Sequence, residues 1–78
     1  MKDLIEYIAR SLVDDPTQVH IEQNSRGQSM HFDLEVAKED MGRVIGKSGR
    51  VANAMRMLLR VAAAREGKRV SLDIVDPE

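Results

Sequence analysis

Hydrophobic spacing along this chain switches repeatedly between the period of a helix and the period of a strand, and the order of those switches constrains the fold more than any other feature. Leu4, Ile5, Ile8 and Leu12 recur at helical spacing, so residues 3–13 are expected to form a helix, opened by a weak capping box of Asp3 and Glu6. Asp14-Asp15-Pro16 ends it, because the residue before a proline avoids the helical region. Val19 and Ile21 then alternate with His20 and Glu22. Met30, Phe32, Leu34 and Val36 alternate with His31, Asp33 and Glu35, which reads as a second strand. A short helix starts at Glu39 and Asp40, whose carboxylates suit the positive end of the dipole, and stops at Gly46. A longer helix from about Arg50 to Arg65 is expected to bury Val51, Met55, Leu58 and Ala62, with Asn53, Arg56 and Arg60 opposite. Its apolar arc is wide, with Ala54, Leu59 and Val61 beyond the main stripe, which suits packing on the first helix or self-association. Glu66-Gly67 breaks it, Val70, Leu72 and Ile74 alternate as a last strand, and Asp76-Pro77-Glu78 is a polar tail.

The order is therefore α-β-β-α-α-β, an α+β chain. One-sided alternation in all three strands puts the three helices on one face of a three-stranded mixed sheet. The second and third strands, joined through helices, should be parallel with a right-handed crossover. If Asn24-Ser25-Arg26-Gly27 forms the hairpin loop, Val19 faces Phe32 and Ile21 faces Met30. His20 then faces His31 on the outer surface, as two solvated polar residues rather than metal ligands. At 78 residues the chain is expected to be one small domain, residues 1–78.

Several chemistries are excluded early. Without cysteine there is no disulfide or thiolate site, and two histidines alone make a poor zinc site. Glu22, Asp33, Glu35 and Asp73 lie on strands with no nucleophile or acid–base partner placed beside them, so no enzyme, metal or cofactor is expected. No run approaches the ~20 apolar residues that span a membrane. Met1-Lys2-Asp3 leads into an acidic periodic segment rather than a leader, so a cytoplasmic protein with its native start is expected.

The overall charge of −1 conceals segregation. Residues 1–37 carry −4, residues 38–69 carry +6 and residues 70–78 carry −3. A phosphate chain responds to that local field rather than to the total. Within the basic third lies Gly42-Arg43-Val44-Ile45-Gly46-Lys47-Ser48-Gly49-Arg50. Glycines at both ends of Lys47-Ser48 let the backbone turn sharply and let a ligand approach without a Cβ in the way. The loop opens onto the start of the longer helix, whose free N–H groups attract anions. Gly42 to Ser48 also reads G-x-x-x-G-K-S, a near miss to a nucleotide-binding loop. It is one residue short, and it follows a helix where that motif needs a strand.

Val44-Ile45-Gly46-Lys47-Ser48-Gly49-Arg50, set between two helices and followed by an apolar continuation, resembles the core motif of the KH nucleic-acid-binding module, a GXXG loop clamping the backbone of about four nucleotides. The element order is similar to the type II arrangement. The length and acidic first helix resemble the small single-domain bacterial KH proteins of the KhpA type. The resemblance implies a groove for single-stranded RNA, or single-stranded DNA. Gly46, Lys47, Ser48 and Gly49 would contact the sugar-phosphate backbone, with Val44, Ile45 and Val51 on an apolar floor. Arg43, Arg50, Lys68 and Arg69 would add phosphate contacts. It further implies self-association as a homodimer, pairing with a second KH protein of the KhpB or Jag type, and a role as an RNA chaperone or post-transcriptional regulator. A protein-interaction adaptor with secondary RNA binding is the alternative. Tyr7 and Phe32, the only aromatics, fall in core-like patterns, so base stacking is scarce and binding should be weak and salt-sensitive.

Overall fold

The computed structural model describes residues 1–77, so Glu78 of the expected tail lies outside the described residues. The elements follow the expected order: α1 (Lys2–Leu12), β1 (His20–Arg26), β2 (Ser29–Glu35), α2 (Met41–Ile45), α3 (Arg50–Arg65) and β3 (Arg69–Val75). Short 3₁₀ turns at Pro16–Gln18, Lys38–Asp40 and Lys47–Gly49 join them. The sheet runs β1-β2-β3, antiparallel in the hairpin and parallel between β2 and β3. Phe32, Leu34 and Leu72 point from it into a core completed by Ile5 and Ala9 of α1, Val44 of α2, and Met55 and Leu59 of α3. No helix is long and apolar enough to cross a membrane among the described residues.

The hairpin register differs from the expected one. Arg26 pairs with Ser29, so the turn is the two-residue Gly27-Gln28, with Gly27 at φ +58° as such turns require. Asn24, Ser25 and Arg26 belong to the strand rather than the loop. Ile21 therefore faces Leu34, Phe32 faces Gln23, and His31 faces Asn24, while His20 faces Glu35. The slip is an even number of residues, so every side chain keeps its face and hydrophobic alternation alone does not distinguish the two registers. The Arg69 N–H donates to the Gln28 carbonyl at 2.8 Å, which ties the start of β3 to this tight turn.

The long helix spans the expected residues but is rotated. Its buried stripe is Ala52, Met55, Leu59 and Ala63. Leu58, expected at the centre of the core, is 51% exposed, whereas Leu59 is 1% exposed. The two candidate stripes share Met55 and differ by roughly 75° about the axis, less than one residue step. Arg56 helps hold the observed setting, because its Nε donates to the Leu72 carbonyl at 3.0 Å.

At α1 the expected capping box is absent: Met1 is the N-cap without a side-chain bond, and Glu6 pairs with Arg10 at 3.0 Å. Asp40 is the N-cap residue of α2, as expected of a helix starting there, but its side chain makes no cap hydrogen bond to that helix. Its carboxylate is buried and accepts the Asp14 and Asp15 N–H groups, each at 3.1 Å, stapling the α1–β1 connection to the start of α2. Asp40→Ala is expected to cost about 2–3 kcal/mol, because two backbone donors lose a charged acceptor. Thermal or denaturant unfolding would read this, and a near-native midpoint would mean water replaces the carboxylate freely.

Candidate nucleic-acid interface

The glycine loop is built by three departures from ordinary backbone within four residues. Gly46 sits at φ +77°, ψ 171°, Ser48 at φ +58°, ψ 27°, and Gly49 at φ +76°, ψ 14°. Gly46 ends α2, with its N–H donating to the Gly42 carbonyl at 2.9 Å. A Cβ there would lie 2.8 Å from the Val51 backbone nitrogen and 2.5 Å from Val51 Cγ2, so only glycine lets the loop fold back on α3. Gly49 is the N-cap of α3 in the left-handed conformation and supplies no side-chain acceptor. The first turn of a sixteen-residue helix thus begins uncapped by any side chain, with the exposed Lys47, Ser48 and Arg50 around it. The Gly49 and Arg50 N–H groups donate to the Gly46 and Lys47 carbonyls, so the electropositive character of this corner rests on the remaining first-turn N–H groups together with Lys47 and Arg50.

The sequence-derived residues divide into two groups. Lys47 and Arg50 make no ion pair among the described residues. Ile45 is partly exposed beside the loop, and Val51 is half-buried beneath it. Val44, expected on the apolar floor, is fully buried in the core and presents no surface to a ligand. Arg43, expected to flank the loop, is drawn the other way: its Nη2 donates to Asp14 at 3.0 Å and its Nε lies 3.4 Å from Asp40. Lys68 precedes β3 and Arg69 begins it, at the far end of α3, where Lys68 Nζ lies 3.9 Å from Glu66.

Sequence spacing missed two arginines. Arg56 and Arg60 line a groove of about 250 Å³ between α3 and β3, with Leu59 and Leu72 at its base and Ser71 and Asp73 on its strand side. Gly49, Asn53, Arg56 and Arg60 follow one another at i, i+4, i+7 and i+11, so they form one polar stripe leading from the loop along α3. Arg56 Nη1 donates to Asn53 Oδ1 at 3.1 Å within it. The i+7, i+11 relation to Gly49 was readable, but only the observed rotation of α3 turns it toward the strand.

Residues 2–74 match the family model described as KhpA/KhpB, KH domain. The chain is 47% identical over 76 residues to the RNA-binding protein KhpA of Halalkalibacterium halodurans, covering 97% of this chain and all of that protein. It is 49% identical over 75 residues to the RNA-binding protein KhpA of Clostridium acetobutylicum, covering 96% of this chain and all of the relative. The corresponding protein of Chlamydia trachomatis is 41% identical over 76 residues, 97% of each chain.

Proposed function

Since this chain belongs to the KhpA/KhpB family of KH domains, we propose that it is a non-catalytic, cytoplasmic protein that binds single-stranded RNA, holding the phosphate backbone with the Gly46–Gly49 loop. The observation that carries this reading is the loop itself: left-handed backbone at Ser48 and Gly49, an exposed Lys47 just before them, and the start of α3 behind. Lys47, Arg50, Arg56 and Arg60 supply charge along the groove, Ile45 and Val51 an apolar contact, and Lys68 and Arg69 its distal end. Few aromatics leave recognition to phosphates and base edges, which fits a low-specificity RNA chaperone or post-transcriptional regulator; single-stranded DNA offers the same phosphates. The test is a titration of a single-stranded oligoribonucleotide at two salt concentrations. With about four phosphates neutralised, affinity should fall about fiftyfold for a fourfold rise in salt. Salt-independent binding, or none, would remove the phosphate clamp.

A second observation favours an interaction role beside RNA binding. Met57 (65% exposed), Leu58 (51%) and Val61 (55%), together with Ala54, form an apolar stripe on the solvent side of α3, roughly opposite its buried one. Such a stripe is self-complementary about a two-fold axis. We take its occupant to be another KH chain, first a second copy of this one, with a KhpB- or Jag-type protein using the same face in competition. Leu58→Asp with Val61→Asp should convert the dimer to monomer in analytical ultracentrifugation while the chain still unfolds cooperatively, with a melting temperature that no longer depends on protein concentration. A wild-type chain that is monomeric at high concentration would overturn the homodimer.

A further inference from the structure

The open face of the sheet, away from the helices, carries a second constellation. Glu22, Asp33 and Asp73 lie in register across β1, β2 and β3, so carboxylates stand directly opposite one another, an arrangement that is unfavourable without a cation between them. Among the described residues no lysine or arginine pairs with Asp33 or Asp73. What lies between them is His31, whose Nε2 is 2.9 Å from Asp33 Oδ1 and 3.6 Å from Asp73 Oδ2.

We propose that His31, Asp33 and Asp73 form a binding site for a divalent transition-metal cation, Zn²⁺ being the best fit. Their ligand atoms all lie within 4.8 Å of one another. Ligand bonds of about 2.1 Å set neighbouring ligand atoms about 3.0–3.4 Å apart, close to the two separations from His31 Nε2. The remaining adjustment falls on Asp73, whose side chain is exposed and free to change rotamer. The other ring nitrogen is already held: His31 Nδ1 lies 2.6 Å from Ser71 Oγ, and His31 and Ser71 are cross-strand partners. A hydroxyl either donates or accepts. When the metal takes Nε2, the ring proton moves to Nδ1 and Ser71 accepts it, the outer hydrogen bond that metal-bound histidines almost always make. Three ligands on two paired strands are fixed by the sheet rather than by a loop, and a fourth position faces solvent for water or a phosphate oxygen. Imidazole with carboxylates favours Zn²⁺ over Mg²⁺ and Ca²⁺, which prefer all-oxygen sites, while Mn²⁺ binds the same donors more weakly and serves as a paramagnetic probe.

The site is read without RNA, by calorimetric titration of the full chain with zinc chloride and by amide spectra with substoichiometric Mn²⁺. The expected result is one ion per chain, with paramagnetic broadening strongest at residues 31–33 and 71–73 and falling off with distance from them. Asp33→Asn and Asp73→Asn should each weaken Zn²⁺ binding at least about tenfold. Glu35→Gln removes the same charge from the same face and should leave it nearly unchanged. Thermal melts confirm that these surface variants fold. No saturable binding below about 1 mM, broadening centred elsewhere, or an equal loss in Glu35→Gln would overturn the site.

Discussion

Replacing Lys47 and Ser48 together by aspartate is expected to lower RNA affinity at least about a hundredfold, roughly 3 kcal/mol, while the chain stays folded. Both side chains are exposed and outside the core, so unfolding should shift by no more than about 0.5 kcal/mol. Position 48 has φ +58°, and aspartate is among the few residues that accept the left-handed region readily. The loss therefore reports on the interface rather than on the fold. Two carboxylates at contact distance from phosphate replace attraction by repulsion where solvent screens least. Lys2→Asp is the control. Lys2 lies on α1 among Glu6, His20, Glu22 and Glu35, far along the chain from the basic third, and its reversal should weaken binding only slightly. Equal losses in the two proteins would mean diffuse attraction, and unchanged binding in the loop variant would move the site elsewhere.

Leu59→Ala is expected to cost about 2–5 kcal/mol, while Leu58→Ala should cost under about 1 kcal/mol. Leu59 packs at 1% exposure in the cluster with Phe32, Leu34, Met55 and Leu72, and truncation leaves a cavity there. For 78 residues the whole stability is about 4–12 kcal/mol, so the loss at Leu59 is a large share of it. Adjacent residues of one type make this a sharp measurement of which face of α3 is inside. Denaturant unfolding of the two variants reads it directly, and a larger loss at Leu58 would put the stripe of Val51, Met55, Leu58 and Ala62 in the core instead.

The adjacent leucines also show how much of the molecule is legible in its residues. Element order, strand polarity and the span Arg50–Arg65 are all readable, because each rests on local spacing, a breaker such as Gly67, or a crossover too long for a hairpin. The glycine loop is readable for the same reason: its backbone needs are met by residue type at fixed positions. What is not readable is the choice between alternatives of equal local merit. Two hairpin registers four residues apart keep every side chain on its face, and the tight Gly27-Gln28 turn decides between them. Two stripes on α3 consist wholly of apolar residues, and docking on the sheet decides which is buried.

Those tertiary choices reassign the charges as well. Arg43 adjoins the loop in sequence, but Asp14 and the buried Asp40 draw its guanidinium away. Arg56 and Arg60 read as a solvated face until α3 is rotated, which sets them along the groove beside β3. Asp33 and Asp73 are separated by forty residues and meet only because β2 and β3 pair in parallel at that register. Local spacing therefore determined the type and order of the elements, and which residues the glycine loop presents, since those follow from the chain's own sterics. The packed fold decided register, helix rotation and the company each charge keeps, since these depend on which surfaces bury together and no short stretch of sequence contains that information.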